Sequence, residues 1–217
     1  MKHSSILSVK NLKLVRGGRL ILDIPCFEIK AGTTTILSGK NGSGKTSFLK
    51  ILSGLTKANS GIFKTGDGEI SCTVAASKFC GKHLYLHQVA YMFSGTVVDN
   101  LAFGLRQRNH SKAIIEKKIN ATLKWANLEH LKDRDAKKLS TGEQHQIALA
   151  RARILNPKLL LLDETTAHMD KAARIRTYQL IKDLRQDGVT MMFATHEEES
   201  QRELDGAILG IEHGKLL

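Results

Sequence analysis

The chain has 217 residues, of which 41% are hydrophobic and 25% charged, an ordinary composition for a globular protein that excludes disordered and repetitive chains. Its longest aliphatic run, Leu159–Leu162, is far shorter than the roughly 20 apolar residues of a bilayer-spanning helix, so we expect no direct membrane span. The net charge of +12 permits binding to nucleic acid or an acidic surface, but the basic residues are spread along the chain without interleaved aromatics, and nucleic acid is not favoured as a partner.

Two further features concern the compartment of the protein. The amino terminus lacks the apolar segment and small-residue cleavage site of a secretory signal. The cysteines, Cys26, Cys72 and Cys80, are odd in number and follow no disulfide or zinc spacing. We therefore expect a cytoplasmic protein in a reducing environment.

The first part of the chain predicts strands and a strand-to-helix connection. Strands are expected over 7–14 and 20–29, with a turn over 16–19 between them. A β-branched run over 33–38 predicts a third strand, which leads directly into a glycine-rich loop. A helix over 45–52 follows that loop and ends at a glycine.

The middle of the chain changes from strands to helices. A polar, glycine-bearing segment over 58–68 leads to a strand near 83–87. Within 99–153, the spacing of Ile115, Ile119, Leu123 and Ala126 is close to 3.6 residues, which places them on one helix face. We therefore predict an α-helical subdomain over 99–153, inserted into an α/β core.

Strands and helices alternate again after the helical segment. Strands are expected over 158–163 and 189–194, with a helix over 171–186 between them and a hairpin over 207–216 at the end. Strands separated by helices imply a mostly parallel sheet with helices on its faces.

The glycine-rich loop carries the strongest chemical signal. Its residues are Gly39, Lys40, Asn41, Gly42, Ser43, Gly44, Lys45 and Thr46, and Ser47 is a further predicted ATP contact. Glycines let backbone N–H groups converge on a phosphate tail, and the amino terminus of the following helix adds its dipole. Lys45 is expected to contact the β and γ phosphates of ATP, and Thr46 to bind Mg²⁺ through its hydroxyl. The loop therefore predicts ATP and Mg²⁺ as ligands.

Two carboxylates, Asp163 and Glu164, follow the aliphatic run of the predicted strand. Ligands of open α/β sheets bind at the carboxyl ends of parallel strands, so both acids should lie beside the phosphate loop. Asp163 is expected to hold Mg²⁺, and Glu164 to accept a proton from the attacking water. A solvated strand end is the alternative that the pair alone leaves open.

With these motifs, nearly the whole chain resembles the nucleotide-binding subunit of an ABC transporter. The most specific segment, 139–143 (Leu-Ser-Thr-Gly-Glu), is similar to the family signature Leu-Ser-Gly-Gly-Gln. The resemblance implies that it caps the γ-phosphate held by a second copy, so that Ser140, Gly142 and Glu143 bind ATP in trans. Thr141 and Glu143 depart from the family pattern and add a β-carbon and a negative charge. Ser140 and Glu143 also fit a helix capping box.

The resemblance assigns roles to further residues. Gln88 matches the glutamine that senses Mg²⁺ and the attacking water, and His196 resembles the switch histidine that contacts the γ-phosphate. Asp170 matches the acidic end of the segment that crosses the family's dimer interface, which implies a further ATP contact in trans. Thr165 stands where the family usually has proline, which reduces backbone rigidity there.

The residues expected to contact the base of the nucleotide match the family pattern less well. The family's adenine-stacking aromatic is missing before the first turn, and Arg16 is the candidate to stack through its guanidinium plane. The histidines other than His196, His145 and His168 included, are interpreted as structural or solvated.

The resemblance implies an α/β fold, namely a P-loop NTPase core with a mostly parallel sheet, an N-terminal antiparallel β subdomain and an inserted α-helical subdomain. A single ABC ATPase domain over 1–217 would have its core in 1–98 and 154–217. The catalytic residues would be Glu164, His196, Gln88 and Lys45, and the Mg²⁺ ligands Thr46, Gln88 and Asp163.

The implied function is an ATPase that powers solute transport by head-to-tail closure of two copies. It would be bound to transmembrane permease subunits at the inner face of the cell membrane, and family analogy favours an importer of a small solute. A non-transport ABC ATPase that acts on nucleic acid or cofactor assembly is the alternative, although the coiled coils, zinc modules and second cassette of such members are absent from the sequence. A degenerate or regulatory cassette is a third possibility, to which Thr141, Glu143 and Thr165 point.

Overall fold

Residues 4–74, 78–79, 81–108, 110–167 and 169–217 are described by a computed structural model of the chain. Cys80 and His168 lie outside the described residues. The chain divides into two units, the first formed by Met1–Leu86, Pro157–Glu164 and Arg185–Leu217, and the second by His87–Asn156 and Thr165–Leu184. The predicted subdomain boundaries at 99 and 153 stay a prediction.

An antiparallel sheet in the first unit has the strand order β2-β1-β4-β5. Its strands are β1 (Ser5–Arg16), β2 (Arg19–Lys30), β4 (Ser60–Thr65) and β5 (Gly68–Ser71). The predicted N-terminal antiparallel strands are confirmed. The segment over 58–68, predicted only as polar and glycine-bearing, contains β4, whose residues pair with β1 from Leu7↔Thr65 to Lys13↔Ser60. Pairing with a strand distant in sequence supplies the hydrogen bonds there, and local polarity does not report it.

A second sheet in the first unit has the order β10-β9-β3-β8-β7-β6. Its strands are β3 (Thr34–Ser38), β6 (His83–Leu86), β7 (Leu159–Asp163), β8 (Met191–Thr195), β9 (Ala207–Glu212) and β10 (Lys215–Leu216). All neighbours are parallel except β9 and β10. Every residue of β7 and β8 is buried, as the prediction of a mostly parallel sheet requires.

Two of the helices have the bounds that the sequence predicts, 45–52 and 171–186. The helices are α1 (Lys45–Leu52), α2 (Val97–Gln107), α3 (Lys112–Ala126), α4 (Thr141–Leu155), α5 (Lys171–Gln186) and α6 (Glu198–Leu204). Short 3₁₀ turns occupy Glu129–Leu131 and Ala136–Lys138. Within the described ranges, no helix combines the length and the apolar character that a membrane span requires.

The core of the first unit joins both sheets to α1. Leu12 and Leu22 of the antiparallel sheet and Leu161 and Met192 of the parallel sheet belong to one buried cluster, which also contains Phe48 of α1. Burial of a side chain of this size stabilises the fold by roughly 1.5–3 kcal/mol. The two ends of the loop between β3 and α1 are therefore anchored in the core.

The second unit is built on close packing between α2 and α4. A Cβ at Gly104 of α2 would lie 2.5 Å from Cδ2 of Leu155, so a larger residue there would require the Leu155 side chain to shift. Asn100 is fully buried, and its side-chain amide donates to the carbonyl oxygens of Phe93 and Thr96. Since it also accepts from the N–H of Phe93, Asn100 anchors the segment that precedes α2.

Candidate functional site

The glycine-rich loop leaves the start of α1 uncapped. Gly44 is the N-cap with φ 112°, and Gly42 has φ 80°, a left-handed conformation that glycine adopts without strain. A Cβ at Gly39 would lie 2.3 Å from the carbonyl oxygen of Ile211, so no larger residue fits there. Within the described part of the chain, no side chain caps α1. Its first N–H groups can therefore receive an anion.

Lys45 lies folded over this loop. It is 5% exposed, and its Nζ donates to the carbonyl oxygens of Gly39 at 2.7 Å and Lys40 at 3.1 Å. The same Nζ lies 3.3 Å from Oε1 of Glu164. Three acceptors thus match the three protons of the ammonium group. A charge held in this way can exchange the carboxylate for phosphate oxygens.

Asp163 ends β7 and is 4% exposed. Its Oδ1 accepts a hydrogen bond of 3.2 Å from the hydroxyl of Thr46, and its Oδ2 accepts one from the hydroxyl of Tyr85 on β6. Hydroxyl and carboxylate oxygens are the hard ligands that Mg²⁺ prefers. Thr46 and Asp163 therefore fit the magnesium site that the sequence predicts.

Tyr85 is a residue of this site that the sequence analysis missed. Burial and, next, the hydrogen bond to Asp163 raise the pKa of the Tyr85 phenol well above its usual range, so the phenol stays protonated and donates. The available signal was weak, since a single tyrosine in a strand is compatible with any partly polar core position.

Glu164 has φ 49°, which is uncommon for a residue other than glycine. Its N–H donates to the carbonyl oxygen of Ala194 at 3.0 Å, which holds the turn after β7 beside β8. Its Oε1 lies 3.1 Å from Nδ1 of His196, in addition to the contact with Lys45. Backbone conformations of this kind cluster at functional sites. The first unit thus brings Lys45, Glu164 and His196 together.

The other predicted ATP contacts of the first unit are more open to solvent. Asn41 is exposed at the tip of the loop, and Ser47 in α1 is half-buried. Arg16 is exposed at the end of β1, where it is the strand-register partner of Arg19 on β2 across the turn. Its role at the base of the nucleotide stays a prediction.

The predicted signature segment starts α4 with a closed capping box. Ser140 is the N-cap, and Oε2 of Glu143 accepts from the Ser140 N–H at 2.8 Å and from the Ser140 hydroxyl at 2.6 Å. These bonds, the hydroxyl first, lower the pKa of Glu143 below its usual value. A Cβ at Gly142 would lie 2.6 Å from Cβ of Ala173, so glycine is required there. The capping-box interpretation is confirmed, and a carboxylate occupies this helix start.

His145 joins two predicted functional segments of the second unit. It is 2% exposed, and its ring nitrogens lie 2.8 Å from the carbonyl oxygen of Thr141 and 3.0 Å from that of Gln88. The interpretation of His145 as structural is consistent with this burial, but its link to Gln88 was missed. No local pattern could report it, because the two residues are separated by 57 positions.

Asp170 lies at the start of α5, where its Oδ1 accepts from the N–H of Ala173 at 2.8 Å. Gln88, Ser140, Gly142, Glu143 and Asp170 all belong to the second unit. Their roles at the nucleotide stay predictions.

The chain is similar to known proteins along most of its length. A family profile described as "ABC transporter" matches residues 22–167. The sulfate/thiosulfate import ATP-binding protein CysA 2 of Shewanella oneidensis is 35% identical over 205 residues, which cover 92% of this chain and 57% of that protein. The spermidine/putrescine import ATP-binding protein PotA of Haemophilus influenzae is 32% identical and matches 100% of this chain and 58% of its own length. The chain thus spans little more than half of these relatives.

A solved structure gives the same result. The structure of cbiO1 from Clostridium perfringens, described as part of the ABC transporter complex cbiONQ, has a TM-score of 0.87 and 26% sequence identity with this chain. The match covers 98% of this chain and 87% of the other. The predicted fold and the resemblance are confirmed: the chain belongs to the ABC transporter family and is an ATP-binding domain of that family.

Proposed function

We propose that this chain hydrolyses ATP and supplies the energy of a membrane transporter. The cluster of Lys45, Glu164 and His196 beside an uncapped helix start carries the proposal. In this cluster, Oε1 of Glu164 lies 3.3 Å from Nζ of the buried Lys45 and 3.1 Å from Nδ1 of His196, next to the phosphate loop. These are the groups that phosphoryl transfer to water requires.

The reaction follows from the chemistry of these side chains. A water oxygen attacks the γ-phosphorus, the bond from that phosphorus to the β–γ bridging oxygen breaks, and ADP and phosphate form. Glu164 accepts the proton of the water, and His196 orients Glu164 through its Nδ1 contact. Lys45 and the free N–H groups of α1 stabilise the negative charge on the phosphates.

Mg²⁺ is part of the proposal. Thr46 and Asp163 would hold the ion, and Gln88 is a further predicted ligand. When bound, Mg²⁺ neutralises charge on the β and γ phosphates.

A second copy of the chain would complete the nucleotide site. Ser140 and Thr141 are exposed at the start of α4, where the helix dipole and small residues suit an anion. In a head-to-tail dimer, Ser140, Gly142, Glu143 and Asp170 of one copy would face the ATP of the other. The γ-phosphate would then favour the closed dimer, and its hydrolysis would permit opening.

An aromatic patch in the second unit supports a protein partner. Val89 is 75% and Tyr91 67% exposed, and Phe93 is stacked on Phe103 with ring centroids 4.1 Å apart. Arg151 lies over the Phe93 ring and donates to the carbonyl oxygen of Tyr91 at 2.6 Å. Exposed, ordered aromatics with an arginine are typical of protein interfaces.

We assign this patch to the permease subunits, which would place the chain on the cytoplasmic, inner face of the membrane. The names of the relatives CysA 2 and PotA describe importers. Import of a small solute is accordingly the proposed direction of transport.

Glu164→Gln tests the proposal. The amide cannot take the proton, so ATP turnover should fall by about 100-fold or more, while ATP binding persists and traps a dimer. Phosphate release and sedimentation in the presence of ATP measure the two effects. Glu198→Gln, at an 82% exposed side chain on α6, is the matched control with unchanged turnover. Hydrolysis by Glu164→Gln at the wild-type rate would refute the assigned mechanism.

A further inference from the structure

Both carboxylate oxygens of Asp163 have a hydroxyl donor. Thr46 donates to Oδ1 at 3.2 Å and belongs to the phosphate loop. Tyr85 donates to Oδ2 and belongs to the neighbouring strand β6. A hydroxyl has one proton and two lone pairs, so Thr46 can donate to Asp163 and still offer its oxygen to a metal ion. The Tyr85 hydroxyl has no predicted role as a metal ligand, and its proton is donated to Asp163.

The sheet register explains how Tyr85 reaches the carboxylate. Tyr85 pairs with Leu161 across the parallel strands β6 and β7. Side chains two positions apart on a strand share a face, so Leu161 and Asp163 face the same side of the sheet. A tyrosine beside Leu161 is long enough to place its hydroxyl at Asp163.

Burial of both partners makes the Tyr85–Asp163 hydrogen bond a strong constraint on the Asp163 side chain. Tyr85 is 9% and Asp163 4% exposed, and a hydroxyl buried to this degree needs a partner. Its acceptor is a carboxylate, and hydrogen bonds to an ionised acceptor are stronger than those between neutral groups. The bond therefore restricts rotation of the Asp163 side chain.

We propose that Tyr85 is a positioning residue for magnesium: it fixes the Asp163 carboxylate through Oδ2 so that Oδ1 stays directed at Thr46 and the phosphate loop. This inference rests on the proposed function, in which Asp163 and Thr46 hold the ion. Partners that orient a metal ligand typically change metal affinity by about 10- to 100-fold when removed.

Tyr85→Phe removes one oxygen and keeps the packing of the ring. Binding of a fluorescent ATP analogue would be titrated in EDTA and at increasing Mg²⁺. We expect the Mg²⁺ concentration of half-maximal effect to rise about tenfold, with affinity in EDTA unchanged. Tyr178→Phe, which removes a hydroxyl from a buried tyrosine of α5, is the matched control and should leave both values unchanged.

The Tyr85→Phe substitution in an Asp163→Asn protein tests whether Tyr85 acts on Mg²⁺ binding through Asp163 or only supports the fold. In Asp163→Asn protein, the addition of Tyr85→Phe should no longer shift the Mg²⁺ dependence, because the ligand that Tyr85 orients has changed. A thermal melt without ligands reports any loss of stability. Equal weakening of binding in EDTA and in Mg²⁺ would mean that Tyr85 only supports the fold, and would overturn the inference.

Two outcomes distinguish this inference from the proposed function. A wild-type protein that binds the analogue with Mg²⁺ but does not hydrolyse ATP would overturn the proposed function and leave the role of Tyr85 intact. Wild-type binding that does not respond to Mg²⁺ would overturn the role of Tyr85 while ATP binding stands.

Discussion

The starts of α1 and α4 differ in what holds their first N–H groups. α1 follows Gly44, and no side chain within the described ranges caps it. α4 follows Ser140, and a capping box with Glu143 places a carboxylate at its amino terminus. Both helix starts carry the same positive dipole. Within the described residues the first start has no side-chain cap, whereas the second already carries the carboxylate of Glu143.

In the proposed dimer, the two helix starts would present unlike charges to a nucleotide. At α1 the local cation is Lys45, which is buried and has exchangeable partners. At α4 the glutamate replaces the neutral glutamine of the family signature, and it would bring a charge of the same sign as the phosphate. We therefore expect the loop to account for most of the ATP affinity, and the signature segment to contribute less than in the family pattern.

Lys45→Ala should produce the largest change in this comparison. A hydrogen bond to a charged group contributes up to about 3 kcal/mol, and each 1.4 kcal/mol is a factor of about ten, so ATP affinity should fall about 100-fold. A fluorescent ATP analogue measures the affinity. Lys50→Ala, in the last turn of the same helix, is the control and should bind as the wild type does. Retained affinity in Lys45→Ala would show that the open helix start suffices.

Glu143→Gln should make the two helix starts more alike. The amide oxygen can still accept from the Ser140 N–H, but the negative charge is removed. Two like charges about 4 Å apart repel each other by about 1 kcal/mol in water, so removal of the carboxylate should tighten the ATP-bound dimer about fivefold. Sedimentation with ATP in the Glu164→Gln background measures dimer affinity, with Glu116→Gln on α3 as the control. A weaker dimer would show that the carboxylate does not face a phosphate.

The smallest expected effect is the pH dependence of the α4 cap. The Ser140 bonds place the pKa of Glu143 below its ordinary value of 4.5. A lowered folded-state pKa means that the stabilisation is fully present above pH 4.5 and is lost as the pH falls through the folded value. Thermal melts of wild type and Glu143→Gln should therefore differ near neutral pH and converge in acid. A difference independent of pH would contradict the role of the charge.

Local signals determined much of the fold and part of the site. The bounds of α1 followed from the glycine-rich loop before it and the glycine after it, and α5 was predicted between two strands. The aliphatic run before Asp163 identified a buried strand. The capping box of Ser140 and Glu143 was also readable, because both residues lie within one helical turn. In each case the residues that interact are neighbours in sequence, so spacing alone reports the contact.

Tertiary structure decided the contacts between distant segments. The strand Ser60–Thr65 exists because β1 pairs with it, and neither its polarity nor its glycine predicted that. Tyr85 reaches Asp163, and His145 reaches Gln88, only after strand register and helix packing have brought residues 78 and 57 positions apart together. The sequence by itself predicted which groups could bind and hydrolyse ATP, whereas the fold decided which hydroxyl contacts the Asp163 carboxylate and which helix start has a side-chain cap.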